Sequence, residues 1–348
     1  MWIFIQNEND KLKEAISKHP TYEELAQKFR ITPAELALRL HQLGKKGYLV
    51  FAEERDNKTI LIPGHEYIKS LNLNPQIIVD CDEIQILALC DAHAGHRLFV
   101  QKYLDMGYNF MSNNKISYYV DNGDMIHGVD YYVNNKSRNP SDLVIPVDRD
   151  AQIEYVNKIW PYDPSITHLF NSGNHERHTE SGVCYDFMSD FIAKTGRDDI
   201  RIIGFGDTLL KINNDGIRFC HGVPKGVIKN RSKHKPLLVI YGGSHVSDWQ
   251  PYFSTFIKVT PPISDLDYES KKKKARLEAL NGAVDLSNMT GQKEYKGVFF
   301  PGFTRIWVEL NSKRNIENIH LEDYRFNGNR VEAVPGTLQH IEKYRTRR

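Results

Sequence analysis

Apolar positions recur at helical spacing in the first fifty residues, then give way to short apolar runs of strand length. Asp10–Lys18 carries the helical period and stops at His19-Pro20. Thr21 is placed to cap a second predicted helix, with Glu24 three residues on to close a capping box. Thr32 repeats the arrangement for a third, with Pro33 at its first position and Glu35 as the box carboxylate. Leu36, Leu40 and Leu43 share one face of that helix, and Gly44 or Gly47 ends it. Tyr48–Ala52 and Thr59–Ile62 read as two strands around the polar turn Arg55-Asp56-Asn57.

From Ile84 onward predicted strands and helices alternate, the pattern of an α/β fold. Strands are expected over 84–90, 116–120, 167–171 and 237–241, with helices over 97–106, 150–160 and 181–194. A hairpin is expected over 207–212 and 217–220, around Asn214-Asp215-Gly216, and late strands over 305–310 and 318–321. Residues 249–303 fit either a cap over a site or a homodimer surface. The N-terminal run of three helices and a hairpin resembles a winged helix-turn-helix. The domains expected are therefore that unit at 1–66, a linker at 67–82, an α/β domain at 83–325 and a tail at 326–348.

Charge narrows the partners only slightly. Forty-six Lys and Arg oppose 44 Asp and Glu, for a formal net charge of +2. A nucleic-acid surface must then be a local patch. The four cysteines, Cys81, Cys90, Cys184 and Cys220, form no close pair, and buried free thiols are expected. The start is not a secretory signal and no apolar run spans a bilayer, so a cytoplasmic protein with no membrane partner is expected.

The chemistry lies where the strands end. Asp91 and His93 follow the first apolar strand, Asp124 follows Gly123, and Asn174-His175 follow Gly173. His221 follows Ile217–Cys220, and His245 follows Val239-Ile240-Tyr241-Gly242-Gly243-Ser244. Carboxylates and imidazoles suit borderline transition metals. Loops at the carboxyl ends of strands bring such distant residues to one spot. The fragments Asp91-Ala92-His93, Gly123-Asp124, Gly173-Asn174-His175-Glu176, His221-Gly222 and Gly242-Gly243-Ser244-His245 occur in the order found in the calcineurin-like metallophosphoesterases, which this chain resembles.

The resemblance implies a four-layer α/β/β/α sandwich holding two divalent transition-metal ions, Mn first, with Fe or Zn as alternatives. It implies one ion on Asp91, His93, Asp124 and His245, and a second bridged by Asp124 and held by Asn174 and His221. It also implies His175 as the group that protonates the leaving oxygen. The family's first histidine of G-H-x-H is replaced here by Gly243, so the second ion loses one ligand unless water, Asp248 or His234 substitutes. Another alignment makes His245 that first histidine and Ser247 the second.

Asp91-Ala92-His93-Ala94-Gly95 and Gly123-Asp124-Met125-Ile126-His127 resemble the SbcD-like DNA exonuclease subunits, whereas Asn174-His175-Glu176 matches the protein phosphatases. DNA is the expected partner. Arg177, His178, His127, Lys225, Lys229 and Arg231 are the candidate substrate contacts. Tyr131, Tyr132, Lys136 and Arg138 add aromatics among basic groups, a mixture suited to a nucleic-acid strand. Arg39, His41, Lys45 and Lys46 are the candidate DNA contacts of the third helix. A phosphomonoesterase, or a DNA-binding protein with a degenerate phosphoesterase domain, remain the alternatives. The size, the appended N-terminal unit and the fragmentary match suggest a phage or mobile-element protein.

Overall fold

The computed structural model describes residues 2–56, 58–71, 73, 75–128, 143–146, 148–180, 183–221, 238–242, 248–252, 255–259, 301–335 and 338–342. Helices α1 (Trp2–Ile16), α2 (Tyr22–Phe29) and α3 (Pro33–Lys45) open the chain. Both expected capping boxes form. Thr21 Oγ1 accepts from Glu24 N at 3.2 Å while the Glu24 carboxylate accepts from Thr21 N at 2.9 Å. Thr32 and Glu35 do the same at 3.2 and 2.8 Å. These pairs satisfy orphan N–H groups of the first turn. Strands β1 (Val50–Arg55) and β2 (Lys58–Pro63) follow as an antiparallel hairpin, then helix α4 (Gly64–Ser70). Leu12, Ile16, Leu25, Leu36, Leu40, Leu43, Val50 and Leu61 make the core of this unit.

That hairpin does not stand alone. Strands β7 (Arg177–Glu180) and β8 (Val183–Asp186) extend it into one sheet of order β2-β1-β8-β7, with β8 parallel to β1 at Phe51 and Cys184. The helix expected over 181–194 is thereby corrected. It begins only at Phe187, as α7 (Phe187–Thr195), with the Asp186 carboxylate accepting from Met188 N and Ser189 N. The reason is tertiary. Val183 packs into the three-helix core and Cys184 packs with Phe51, Ile62 and Tyr67, an alternation only a strand can deliver.

The remainder is built on two sheets. The larger has the order β17-β16-β15-β4-β5-β6-β9, with β18 also pairing β16. Its members are β4 (Glu83–Leu89), β5 (Tyr118–Asp121), β6 (Thr167–Ser172), β9 (Ile200–Phe205), β15 (Gly302–Leu310), β16 (Ile316–Asn327), β17 (Arg330–Ala333) and β18 (Gln339–Glu342). Strands β4, β5, β6 and β9 run parallel, with α5 (Gln101–Asn113) and α6 (Arg149–Ile159) in the first two connections. The smaller sheet has the order β13-β14-β12-β11-β10-β3. It comprises β3 (Gln76–Ile77), β10 (Asp207–Ile212), β11 (Asp215–His221), β12 (Leu238–Gly242), β13 (Asp248–Tyr252) and β14 (Thr255–Val259).

Strand β4 shows how the layers form. Leu87 and Leu89 face the helices, packing with Leu104, Met111, Val156 and Phe191. Ile86 and Ala88 face the smaller sheet, meeting the cluster of Leu210, Ile217, Phe219 and Ile240. A strand buried on both faces reads as a continuous apolar run, as 84–90 does. Among the described residues the layers are α/β/β, and the outer helices of the expected fourth layer are not among them. Part of 67–82, expected as a linker, forms the end of α4 and strand β3, while β17 and β18 fall in the expected tail. Within 249–303, β13 and β14 form an edge hairpin. All four cysteines are free; Cys81 is exposed, against expectation, and the other three are buried. Among the described residues no helix is long and apolar enough to cross a membrane.

Candidate metal centre

Two loops leave the carboxyl ends of β4 and β5 side by side and pair through their backbones. Asp91 N donates to Gly123 O at 2.9 Å, His93 N to Asp124 O at 2.9 Å, Ala94 N to Met125 O at 2.8 Å, and His127 N to Ala94 O at 2.9 Å. Asp91, His93 and Asp124 all take left-handed φ, at 55°, 50° and 59°. Such angles are uncommon outside glycine and persist where surrounding bonds over-determine them. Gly123 sits at φ +97°, and a Cβ there would lie 2.4 Å from His221 Nδ1. A Cβ on Gly173 would lie 2.3 Å from Asp124 Oδ1. The glycines before these residues let the side chains close directly on backbone.

Asp124 is the hub. Its Oδ2 lies 3.0 Å from His221 Nε2, 3.7 Å from His175 Nε2 and 4.0 Å from His93 Nε2. Its Oδ1 accepts from His175 N at 3.0 Å. His93 Nε2 is also 4.0 Å from Asp91 Oδ1. Donor atoms of Asp91, Asp124 and His221 fall within 4.8 Å of one another, and so do those of His93, His127 and His175. Apart from half-buried His221 these residues are buried. His221 Nδ1 lies 2.6 Å from Asn122 O and His175 Nδ1 2.6 Å from His127 O. Each therefore carries its proton on Nδ1 as donor and turns Nε2 toward Asp124, the tautomer a metal-binding histidine adopts.

Two buried carboxylates among imidazoles need positive charge beside them. Burial opposes charging His221, yet Asp124 outweighs it and pushes His221 up to about 10. Burial would raise Asp124, but His221 and His175 hold it far below the usual carboxylate range. The proton His221 holds stands where a cation would otherwise serve, and metal binding would release it. The donor set fits a borderline divalent ion.

A second set of side chains braces the loops. Glu176 is fully buried and accepts from Asp124 N at 3.0 Å, Gly173 N at 2.6 Å and Ile126 N at 3.1 Å. Burial, and then the charge of Asp124, raise its carboxyl above the ordinary value. Asn171 Nδ2 donates to Asn122 Oδ1 at 2.9 Å, and Asn122 Nδ2 to Cys220 O at 2.9 Å, tying the two sheets together beneath the site. Asp121 accepts from Gly123 N at 3.0 Å and from the Tyr119 hydroxyl at 3.0 Å. Sequence reasoning missed the bracing parts of Glu176, Asn171, Asn122 and Asp121. For Asp121, Asn122 and Asn171 the one signal was a polar side chain at the end of an otherwise apolar strand; Glu176 lies in the loop beyond β6.

Of the expected site residues, Asp91, His93, Asp124, His127, His175 and His221 are brought together. His127 was expected to touch substrate; it is buried, with Nδ1 3.2 Å from His93 Nδ1. Asn174 is exposed on the turn before His175. Strand β12 ends at Gly242, paired with His221. His245, Gly243 and His234 lie outside the described residues, as do Lys225, Lys229, Arg231, Tyr131, Tyr132, Lys136 and Arg138. Arg177 and His178 open β7, paired through backbone with Asp186 and Tyr185. On α3, Arg39 is 3.2 Å from Glu8, His41 is exposed, Lys45 is the last residue, and Lys46 follows it, exposed.

No family model matches the chain, and no curated protein does. Solved structures overlap with it at low identity. A conserved protein of Streptococcus pneumoniae, described as a predicted phosphoesterase, is 10% identical with a TM-score of 0.35, over 76% of this chain and 99% of that one. Vacuolar Protein Sorting 29 of Cryptosporidium parvum is 10% identical with a TM-score of 0.38, over 76% and 100%. An archaeal phosphodiesterase is 11% identical with a TM-score of 0.34, over 72% and 100%. At that level the overlaps assign no chemistry to this chain, whose reading rests on its own side chains.

Proposed function

We propose that this chain is a metal-dependent phosphoesterase of the calcineurin-like kind, acting on phosphodiester bonds in nucleic acid, DNA first. One observation carries the reading. Three loops and a strand end from distant parts of the sequence place Asp91, His93, His175 and His221 around the buried carboxylate of Asp124. Asp91, His93, Asp124 and His221 would hold metal, with Asn174 and His245 as the further ligands the family pattern implies. When bound, divalent ions neutralise phosphoryl oxygens and acidify a water. Mn is the first choice, with Fe or Zn as alternatives.

The chain's own residues then have distinct tasks. His175, anchored through Nδ1 on His127 O, presents Nε2 as the atom through which a proton would reach the leaving oxygen. Glu176 holds the Asp124 and Gly173 loops in register through three backbone N–H groups. That bracing role accounts for the glutamate without reference to substrate, so it does not favour a phosphomonoesterase. His127, in the position that resembles the SbcD-like motif, lies against His93 and supports the nuclease reading. Arg39, His41, Lys45 and Lys46 are the proposed nucleic-acid side of α3, and Lys225, Lys229 and Arg231 the proposed strand contacts near His221.

The test is cleavage of end-labelled single- and double-stranded DNA with added Mn, in wild type, His175→Ala and Asp124→Asn. Mn-dependent cleavage lost in both variants supports the proposal. Cleavage unchanged in both identifies a contaminant. Hydrolysis of a generic phosphate ester without DNA cleavage moves the reading to a phosphomonoesterase, and silence on both substrates refutes the enzyme.

A further inference from the structure

The outward face of the larger sheet carries a pair of histidines well away from Asp124. Strands β16 and β18 pair antiparallel, with Ile319 opposite Ile341 and His320 opposite His340. Ile319 and Ile341 are buried in the cluster between the two sheets. Side chains alternate along a strand, so burying the isoleucines turns the histidines outward, and a slip of one residue would put imidazoles in the core. Trp307 on β15 stands opposite His320, and Gln85 on β4 stands opposite Trp307. Gln85 lies six residues before Asp91, which at the strand rise puts this row roughly 20 Å from the candidate centre.

The two imidazoles meet through like atoms. His320 Nδ1 and His340 Nδ1 are 3.1 Å apart, with ring centroids at 4.5 Å. His320 Nε2 lies 3.1 Å from Glu309 Oε1, and Asn318 Nδ2 donates to Glu309 Oε2 at 2.6 Å. A carboxylate only accepts, so His320 gives Glu309 its Nε2 proton and keeps a bare Nδ1. A proton on His340 Nδ1 then bridges the pair, and a cation would take its place. Bonds of about 2.0–2.1 Å from both Nδ1 atoms would meet at one ion with an angle of about 100°, between the tetragonal and tetrahedral values. A carboxylate behind a ligating imidazole is the arrangement that fixes its tautomer and orientation. His320 is half-buried and His340 exposed, so water can complete the shell.

We propose that His320 and His340 form a surface site for one divalent cation of the nickel–copper–zinc group, with Glu309 orienting His320, and that the ion staples β18 to β16. The site is separate from the Asp124 centre and does not depend on the phosphoesterase reading. Imidazole pairs suit those ions, and hard cations such as magnesium are not expected to bind. Strand β18 has only four residues, and an ion held from both strands closes the chain between residues 320 and 340 as a metal clip.

The experiment titrates nickel(II) and zinc(II) into the full chain carrying Asp124→Asn, which weakens the central site, and into the same chain with a second substitution. Nickel is expected to quench tryptophan emission, because the Trp307 ring lies 5.7 Å from that of His320. His320→Gln and His340→Gln should each weaken nickel binding by more than about tenfold in calorimetry and remove that quench, and Glu309→Gln should weaken it by about 10–100-fold. Trp307→Phe should keep the binding and lose the quench. Zinc should raise the urea midpoint, and the rise should shrink in His340→Gln, whose midpoint without metal should match that of its parent. His65→Gln, which removes an exposed histidine elsewhere, should change none of these. Isotherms that superpose with and without His340 overturn the proposal, as does a quench that survives Trp307→Phe in full. An equal loss of affinity in His65→Gln and His340→Gln overturns it too, since that marks adventitious binding to any surface imidazole.

Discussion

Gly123→Ala tests the centre without touching a ligand. The added Cβ would sit 2.4 Å from His221 Nδ1 and 2.8 Å from Gly173 Cα. Ordinary contact begins near 3.5 Å, so the imidazole must retreat by about 1 Å. It is held from behind by the 2.6 Å bond to Asn122 O, so retreat also breaks that bond. Misplacement of about 1 Å costs on the order of a hundredfold in rate. The backbone adds its own term, since φ +97° is strained for alanine. Strain and overpacking together should lower stability by about 2–5 kcal/mol. The assays are urea unfolding, metal content by mass spectrometry, and hydrolysis of bis(p-nitrophenyl) phosphate. Gly44→Ala is the control: it lies in α3 with nothing within 4 Å of its Cβ, and should stabilise by up to about 1 kcal/mol. If Gly123→Ala binds metal like wild type and keeps its rate within threefold, His221 is not a ligand and the packing argument fails.

Other expectations follow from the same contacts. Glu176→Gln turns an NH2 toward N–H donors, and should cost about 1–3 kcal/mol by urea titration while weakening metal binding measured calorimetrically. Two buried groups act oppositely on pH dependence. Burial lowers His168 from 6.5 to about 4, so the unfolded chain binds the extra proton and stability falls as pH drops through that window, by about 3 kcal/mol in all. Burial raises Asp186 from 3.8 to about 6, so its contribution is lost as pH rises through nearly the same window, by a similar amount. Relative to wild type, His168→Gln should therefore gain stability toward pH 4 and Asp186→Asn toward pH 7; identical pH profiles for both variants would contradict the burial argument. Thr21→Ala and Thr32→Ala should each cost about 1 kcal/mol in thermal unfolding, and a loss below about 0.3 kcal/mol would show the boxes to be idle.

Much of the centre was legible because it obeys a local rule. Asp91, Asp124, His175 and His221 each follow an apolar strand, and glycines stand before Asp124 and at the turn before His175. The helix caps were legible for the same reason, since a capping box is complete within four residues. What escaped is what only distant packing decides. Residues 183–186 fall within the helix expected over 181–194, and their strand state comes from Val183 and Cys184 filling two N-terminal clusters. Asn122 and Asn171 look like stray polar residues until the two sheets are superposed and their amides meet.

The parallel pairing of β1 with β8 also has a consequence for biosynthesis. Phe51 leaves the ribosome roughly 130 residues before Cys184, its partner. At about 5–20 residues per second, the nascent hairpin waits on the order of ten seconds with one edge open. Unpaired strand edges are templates for wrong partners. A shortened chain ending near residue 66 would never receive Val183 and Cys184, so excising the first helices as a self-sufficient fragment would leave that edge open for good.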